Sequence, residues 1–213
     1  MGPSAMIRIA IVIASVRPQR RGPVVAQWVL NRALERGDAE YELLDLADHP
    51  LPMLDEPIQA VKQKYAHEHT RAWSKVIAAY DGFVFVTPEY NHAPPASLKN
   101  AIDYLFHEWN DKAVTFVGYG AVGATRAIEQ LRLIAIAVDM VPSKAQVAIS
   151  AFSEFDGDDF TPAERTEAML THALSRLVAR AHALRWLRLG GCTGDALEPS
   201  LIRASTIPVK RLQ

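Results

Sequence analysis

Three short stretches bring together side chains and backbone of the kind that chemistry needs. The first, Ser15-Val16-Arg17-Pro18-Gln19-Arg20-Arg21-Gly22-Pro23, sets a hydroxyl and three guanidinium groups directly ahead of a helical pattern. The free N–H groups at the start of a helix favour an anion, and arginine forks match phosphate oxygens. Ser15, Arg17, Arg20, Arg21 and Gly22 are therefore candidates for holding a phosphate, with Pro23 at a position where a helix loses no hydrogen bond. A solvated basic loop with an ordinary cap would use the same residues. Neither GxGxxG nor GxxxxGK[ST] occurs here, so the stretch is not a dinucleotide fingerprint or a P-loop.

The second stretch, TPEYNHAPPASLKNAIDYL from Thr87 to Leu105, begins where the apolar run Phe83-Val84-Phe85-Val86 ends. Pro88 and the pair Pro94-Pro95 remove backbone freedom, so the N–H groups of Glu89, Tyr90 and Asn91 can be held toward a ligand with little ordering on binding. As a plain strand-to-helix turn, the segment would have Ser97 as helix cap and Leu98, Ile102 and Leu105 in the core, which leaves an exposed Tyr90 beside Asn91 unexplained. The third stretch is Gly118-Tyr119-Gly120-Ala121-Val122-Gly123. Its glycines let the backbone approach a flat ligand, and the helix that follows favours negative charge nearby, although a simple glycine turn has the same composition. A ligand with a phosphate at one end and a planar polar ring at the other would bridge the three.

Positioning these loops requires a particular order of elements. Ile7 to Ala14, IRIAIVIA, reads as a strand covered on both faces, and Val25, Trp28, Val29 and Ala33 then recur at helical spacing until Gly37. The alternation continues with strands at Tyr41–Leu46, Gly82–Val86, Ala113–Val117 and Lys144–Ile149. Helices are expected at His67–Tyr80, Ser97–Leu105, Gly123–Val138 and Pro162–Leu187. Five strands alternating with five helices predict an α/β fold: a doubly wound five-stranded parallel sheet with helices on both faces. In such a sheet, ligands bind beyond the carboxyl ends of the strands, where the loops after strands one, three and four lie. Those are the three stretches above.

Ser15-Val16-Arg17 is similar to a GSxR-type phosphate loop, PEYN at Pro88 to Asn91 to a flavin-ring loop, and YGAVG at Tyr119 to Gly123 to an SYGxxG-type loop. From Met6 to about Leu187 the chain thus resembles the NADPH-dependent FMN reductase family of flavodoxin-like proteins. Ala14 and Gly118 replace a glycine and a serine usual in that family. Gly22-Pro23 stands where many relatives carry a hydroxyl residue, so phosphate binding must lean on arginines and N–H groups. The resemblance implies FMN as cofactor and NADPH or NADH as co-substrate, with electrons passing to a small-molecule acceptor such as a quinone, free flavin, azo dye or metal oxyanion. It implies a flavin site at Ser15, Arg17, Arg20, Arg21, Gly22, Pro88, Glu89, Tyr90, Asn91, Tyr119, Gly120 and Gly123, in a homodimer or homotetramer. The cofactor would carry the chemistry, with no catalytic side chain required, so Glu89 is read as a hydrogen-bonding or subunit-contact residue. A flavodoxin-type FMN electron-transfer module, or a protein that kept the fold and lost flavin, are the other readings.

The 213 residues are 49% hydrophobic and 22% charged, with a formal net charge of -1 and dispersed basic residues, which suits one domain and argues against nucleic acid. A single cysteine, Cys192, excludes an internal disulfide and points to a reducing cytoplasm. No apolar run is long enough to span a bilayer. Residues 1–5 read as a leader or cloning remnant, 6–188 as the FMN-binding domain and 189–213 as a flexible tail. No metal site is expected: His67 and His69, two apart on a helix, should point to different faces. Without a nearby histidine base or a GxSxG elbow, Ser15 gives no support to hydrolase chemistry.

Overall fold

A computed structural model describes residues 6–157 and 159–191. Its elements are β1 (Arg8–Ile13), α1 (Gly22–Leu34), β2 (Glu40–Asp45), α2 (Glu68–Ala78), β3 (Gly82–Thr87), α3 (Ala96–Asp103), β4 (Ala113–Gly120), α4 (Thr125–Ala137), β5 (Val141–Ser150), β6 (Phe155–Asp156), β7 (Asp159–Phe160) and α5 (Glu164–Arg188). The first five strands form one parallel sheet in the order β2-β1-β3-β4-β5. The winding reverses between β1 and β3, which opens a crevice at their carboxyl ends.

The β-branched and aromatic runs form central strands because both of their faces are covered. Ile9, Ile11, Ile13, Val84 and Val86 pack under α1 and α5 through Val25, Val29, Leu170, Leu174 and Leu177. Ala10, Val12, Phe83, Phe85 and Phe116 meet Trp73, Ile77, Leu98, Ile102 and Leu131 from α2, α3 and α4 on the other face. Phe83, Phe85, Phe116 and Trp109 are fully buried, and each contributes about 2–3 kcal/mol through removal from water. Phe85→Ala would leave a cavity between β3 and α3, at about 3–5 kcal/mol.

Three local features depart from the sequence expectations. Strand five was expected from Lys144 but extends back through Pro142, where the register against β4 shifts between Val114 and Phe116; β5 is an edge strand, which tolerates a proline. The hairpin β6–β7 was not foreseen because its strands have two residues each. Ser97 does not cap α3: its Oγ donates to the Ala14 carbonyl at 2.6 Å, tying the helix to the end of β1. The tail from Cys192 onward lies outside the described residues, as does the leader.

At the opposite end of the sheet, buried Lys112 donates from Nζ to the Ile77 carbonyl at 2.8 Å in the last turn of α2. Burial pushes this ammonium down to about 7, with the positive charge of Arg188 acting in the same direction. No helix of the described residues is long and apolar enough to cross a membrane.

Candidate functional site

The loop after β1 is anchored by Ala14, whose N–H donates to the Val86 carbonyl at 3.0 Å, so the ends of β1 and β3 stay in register as the chain leaves the sheet. Ser15 follows, fully buried, with Oγ 2.7 Å from the Tyr90 hydroxyl. That hydroxyl pair fastens the first loop to the second. Arg17 lies with its guanidinium 5.6 Å from the centre of the Tyr90 ring, and it has no carboxylate partner among the described residues. Helix α1 starts without a side-chain cap, so the first-turn amides of Gly22 and Val24 have no side-chain acceptor.

Tyr119 from the end of β4 completes the arrangement. Arg17, Gln19, Arg20, Arg21, Pro88, Tyr90 and Tyr119 line a cleft of about 210 Å³. The Tyr119 hydroxyl is buried and has no hydrogen-bond partner among the described residues. Burial raises its pKa, so the phenol keeps its proton and is a donor. Gly22 lies against it: a Cβ at this position would sit 3.1 Å from that hydroxyl and 2.9 Å from Ile13 Cγ2, so a larger residue would press on both.

The second loop is a tight turn of a kind the proline pattern does not disclose. Asn91 and His92 both have positive φ, 51° and 69°, and Tyr90 and Ala93 exchange backbone hydrogen bonds of 2.9 and 3.0 Å across them. This is a two-residue connection of type I′. The Tyr90 N–H, expected to face a ligand, is therefore closed onto Ala93, whereas no such bond engages the amides of Glu89 and Asn91. Tyr90 itself is half-buried rather than exposed.

Glu89 has a structural task. Its carboxylate, 7% exposed, accepts from the Arg126 amide at 3.1 Å and the Ala127 amide at 3.2 Å and pairs with the Arg126 guanidinium. It thereby caps α4, whose own N-cap, Ala124, offers no side chain. Burial would raise the Glu89 pKa, but hydrogen bonds from Arg126 and the two amides outweigh it and hold the carboxyl below its usual range. The α4 N-terminus, expected to favour ligand charge, is already occupied by this carboxylate. His92 joins the same junction, with Nε2 2.8 Å from Arg126 Nη1 and its carbonyl accepting from Gln130 at 2.6 Å.

The remaining predicted residues divide by partner. Arg20 is paired with Asp45 at the end of β2, and Arg21 donates to the Gly157 carbonyl at 2.8 Å while lying 4.5 Å over the Phe155 ring. Gly120 accepts from the Gly123 and Ala151 amides, and Gly123, at φ 63°, packs against Ala148, where a Cβ would approach to 2.6 Å. Sequence reasoning did not include Gln19, whose positive φ of 54° turns the first loop, or Asp45 and Arg126, whose partners lie 25 and 37 residues away. A larger groove of about 290 Å³ lies between Leu46–Leu51 and α3, with Val16 at its rim. It contains no arginine, so of these two the smaller cleft is the one suited to an anion.

The family model for NADPH-dependent FMN reductases matches residues 7–154, a span that includes all three loops. The chain belongs to this family. Its curated relatives include an NAD(P)H-dependent FMN reductase of Schizosaccharomyces pombe, 45% identical over 130 residues, 60% of this chain and 65% of that protein. An NAD(P)H:quinone oxidoreductase of Solanum tuberosum is 33% identical over 154 residues, 68% of this chain and 77% of that protein. The chain thus spans somewhat less than two thirds of the Schizosaccharomyces pombe relative and more of the other. In fold it is similar to FerB, an NAD(P)H:(acceptor) oxidoreductase from Paracoccus denitrificans, with a TM-score of 0.66 at 22% identity, covering 83% of this chain and 98% of that one. The family's fold is therefore the doubly wound, flavodoxin-like sheet described above. Among the described residues, no group of three or more His, Cys, Asp or Glu side chains could hold a metal ion. His67 precedes α2 rather than lying within it, and its ring stacks on that of His69 at 5.2 Å, so the two point the same way after all.

Proposed function

We propose that this chain is an NAD(P)H-dependent FMN reductase, passing hydride from NADPH or NADH to bound FMN and electrons onward to a small-molecule acceptor such as a quinone or free flavin. The observation that carries the reading is the cleft at the switch point, where an unpaired arginine, uncapped helix amides and a buried, unpartnered phenol converge. These residues fit a phosphate monoester. The Tyr119 hydroxyl and the α1 amides donate to its oxygens, and Arg17 balances its charge. Arg20 contributes less, because Asp45 already neutralises it, and Arg21 chiefly holds the hairpin wall beside the cleft.

When bound, FMN supplies the hydride acceptance and electron transfer. The chain's part is placement. Pro88 and the Tyr90–Ala93 turn fix the second loop, leaving the Glu89 and Asn91 amides as donors for a planar polar ring. Glu89 locks that loop to α4, so its geometry is set before any ligand arrives. Proton transfer by a side chain is not needed at this site. Assembly as a homodimer or homotetramer belongs to the same proposal and is supported by Leu133 and Ile136, 71% and 61% exposed on α4. So does a cytoplasmic location, in line with a single cysteine in the sequence.

Anaerobic titration of the FMN-loaded protein with NADPH and NADH tests the reading. Bleaching of the flavin absorbance, followed by recovery on adding a quinone, is the expected result. A yellow protein that neither nicotinamide bleaches would instead be an FMN electron-transfer module.

A further inference from the structure

Far along the sheet from the cleft, residues 143–146 of the edge strand β5 and the neighbouring face of α5 enclose a groove of about 500 Å³. Its polar side chains are Lys144, Gln146, His172, Arg176 and Arg180, with buried Ser143 at the base beside Ala145; no acidic residue lines it. His172, Arg176 and Arg180 follow at four-residue intervals, which places them in a row on one helix face at steps of about 6 Å. Like charges at this spacing repel. The sequence has nonetheless put Lys144 of β5 opposite them.

Elsewhere among the described residues most arginines are balanced. Arg8 pairs with Glu42, Arg36 with Asp38, Arg71 with Glu68, Arg126 with Glu89 and Arg188 with Asp81. Among the described residues, Lys144, Arg176 and Arg180 have no such partner, a condition the last two share with Arg17 and Arg21 at the cleft and with Arg165 at the start of α5. Arg180 is also held in place: Nη1 reaches Ser143 Oγ at 3.4 Å and the Arg176 carbonyl at 3.3 Å. Cations often guard an open strand edge against pairing. Here Arg132 already covers it, donating to the Ser143 carbonyl, to the Lys144 carbonyl at 3.2 Å and to Gln146 Oε1 at 2.6 Å. The other cations are left over from that task.

We propose that the β5–α5 groove is an anion site for a chain of phosphate groups, gripped by Lys144, Arg176 and Arg180 with His172 at one end. Successive phosphates match a row of cations better than a single compact anion does. The same chemistry is presented by free oligophosphate and by the phosphate end of a nucleotide. The proposal is independent of the FMN cleft, with which the groove shares no lining residue.

Calorimetric titration of the FMN-loaded chain with sodium tripolyphosphate at low ionic strength is the test. Binding should weaken at least tenfold in Arg176→Gln/Arg180→Gln and by a smaller factor in Lys144→Gln, and should be unchanged in Arg17→Ala. If the chain takes up no FMN, the same comparison on the protein as purified still separates the two sites. Melting curves report whether each variant is folded, and the exposed single change Arg176→Gln serves if the double variant is not. ATP binding more than tenfold tighter than tripolyphosphate identifies a nucleotide as the occupant; equal affinity identifies the phosphate chain alone. Equal tripolyphosphate binding by the parent and by the folded groove variants, no binding to the parent, or a loss that follows Arg17→Ala, overturns the proposal.

Discussion

Replacing Glu89 separates architecture from ligand contact, because the residue lies inside the sequence segment that most resembles a flavin loop yet points its carboxylate at α4. In Glu89→Ala the amides of Arg126 and Ala127 lose their acceptor, now at 3.1 and 3.2 Å. Loss of such a cap costs about 0.5–2 kcal/mol. The ion pair with Arg126 adds about 0–1 kcal/mol, discounted because that arginine is 47% exposed. We predict a total of about 0.5–3 kcal/mol, read as a fall of about 1–12 °C in the melting temperature of the flavin-free protein. The pH dependence has a definite sign. The folded pKa lies below the ordinary 4.5, so the stabilisation is present above that value and disappears as pH falls through the folded pKa. Glu89→Gln lacks that contribution at every pH, so its deficit should be full at pH 7 and shrink in acid. Unchanged melting at pH 7, or a deficit that persists undiminished in acid, would refute the assignment.

Arg17→Ala should weaken FMN binding by about tenfold to a hundredfold, the value of one charge-assisted contact, and leave riboflavin binding unaltered; equal losses for both flavins would show that Arg17 does not read the phosphate. At Asn91, where φ is 51°, alanine should lower apo stability by about 1 kcal/mol whereas glycine should not; turnover by Asn91→Gly then reports the side chain alone, and equal melting of the two variants would contradict the turn. Lys112, with its folded pKa near 7 against an ordinary 10.5, makes folding release a proton between those values. Stability should therefore rise with pH by up to about 1.4 kcal/mol per unit across that window, and Lys112→Met should flatten the rise in urea denaturation curves.

The sheet was legible because β1, β3 and β4 announce themselves as unbroken apolar runs, and the position of the three loops followed from winding rules alone. What the sequence hid was pairing at a distance. Nothing local to Arg20 indicates that Asp45 will neutralise it, and nothing in PEYN reveals that Glu89 will cap a helix beginning at Thr125. The Asn91-His92 turn was missed for a different reason: type I′ turns are usually signalled by a glycine, and here histidine takes the second left-handed position. Ser97 misled because serine ahead of an apolar run normally caps, whereas this one is drawn to the free carbonyl that β1 leaves at Ala14. His67 was expected as the first residue of the helix but is its N-cap in extended conformation, which changed the face on which its ring falls.

The tether between Arg21 and the β6–β7 hairpin sets a timetable for entry to the cleft. It consists of one exposed hydrogen bond to Gly157 and one contact with the Phe155 ring. Together these hold with about 1.5–2 kcal/mol, so Arg21 stands free of the hairpin a few per cent of the time without any signal, while the hairpin itself stays packed against Trp28 through Phe160. A ligand arriving at Arg21 competes for the same guanidinium and converts a transient release of that side chain into a lasting one. Stopped-flow FMN uptake should therefore plateau at high flavin concentration, and Phe155→Ala, by loosening the latch, should lift the plateau.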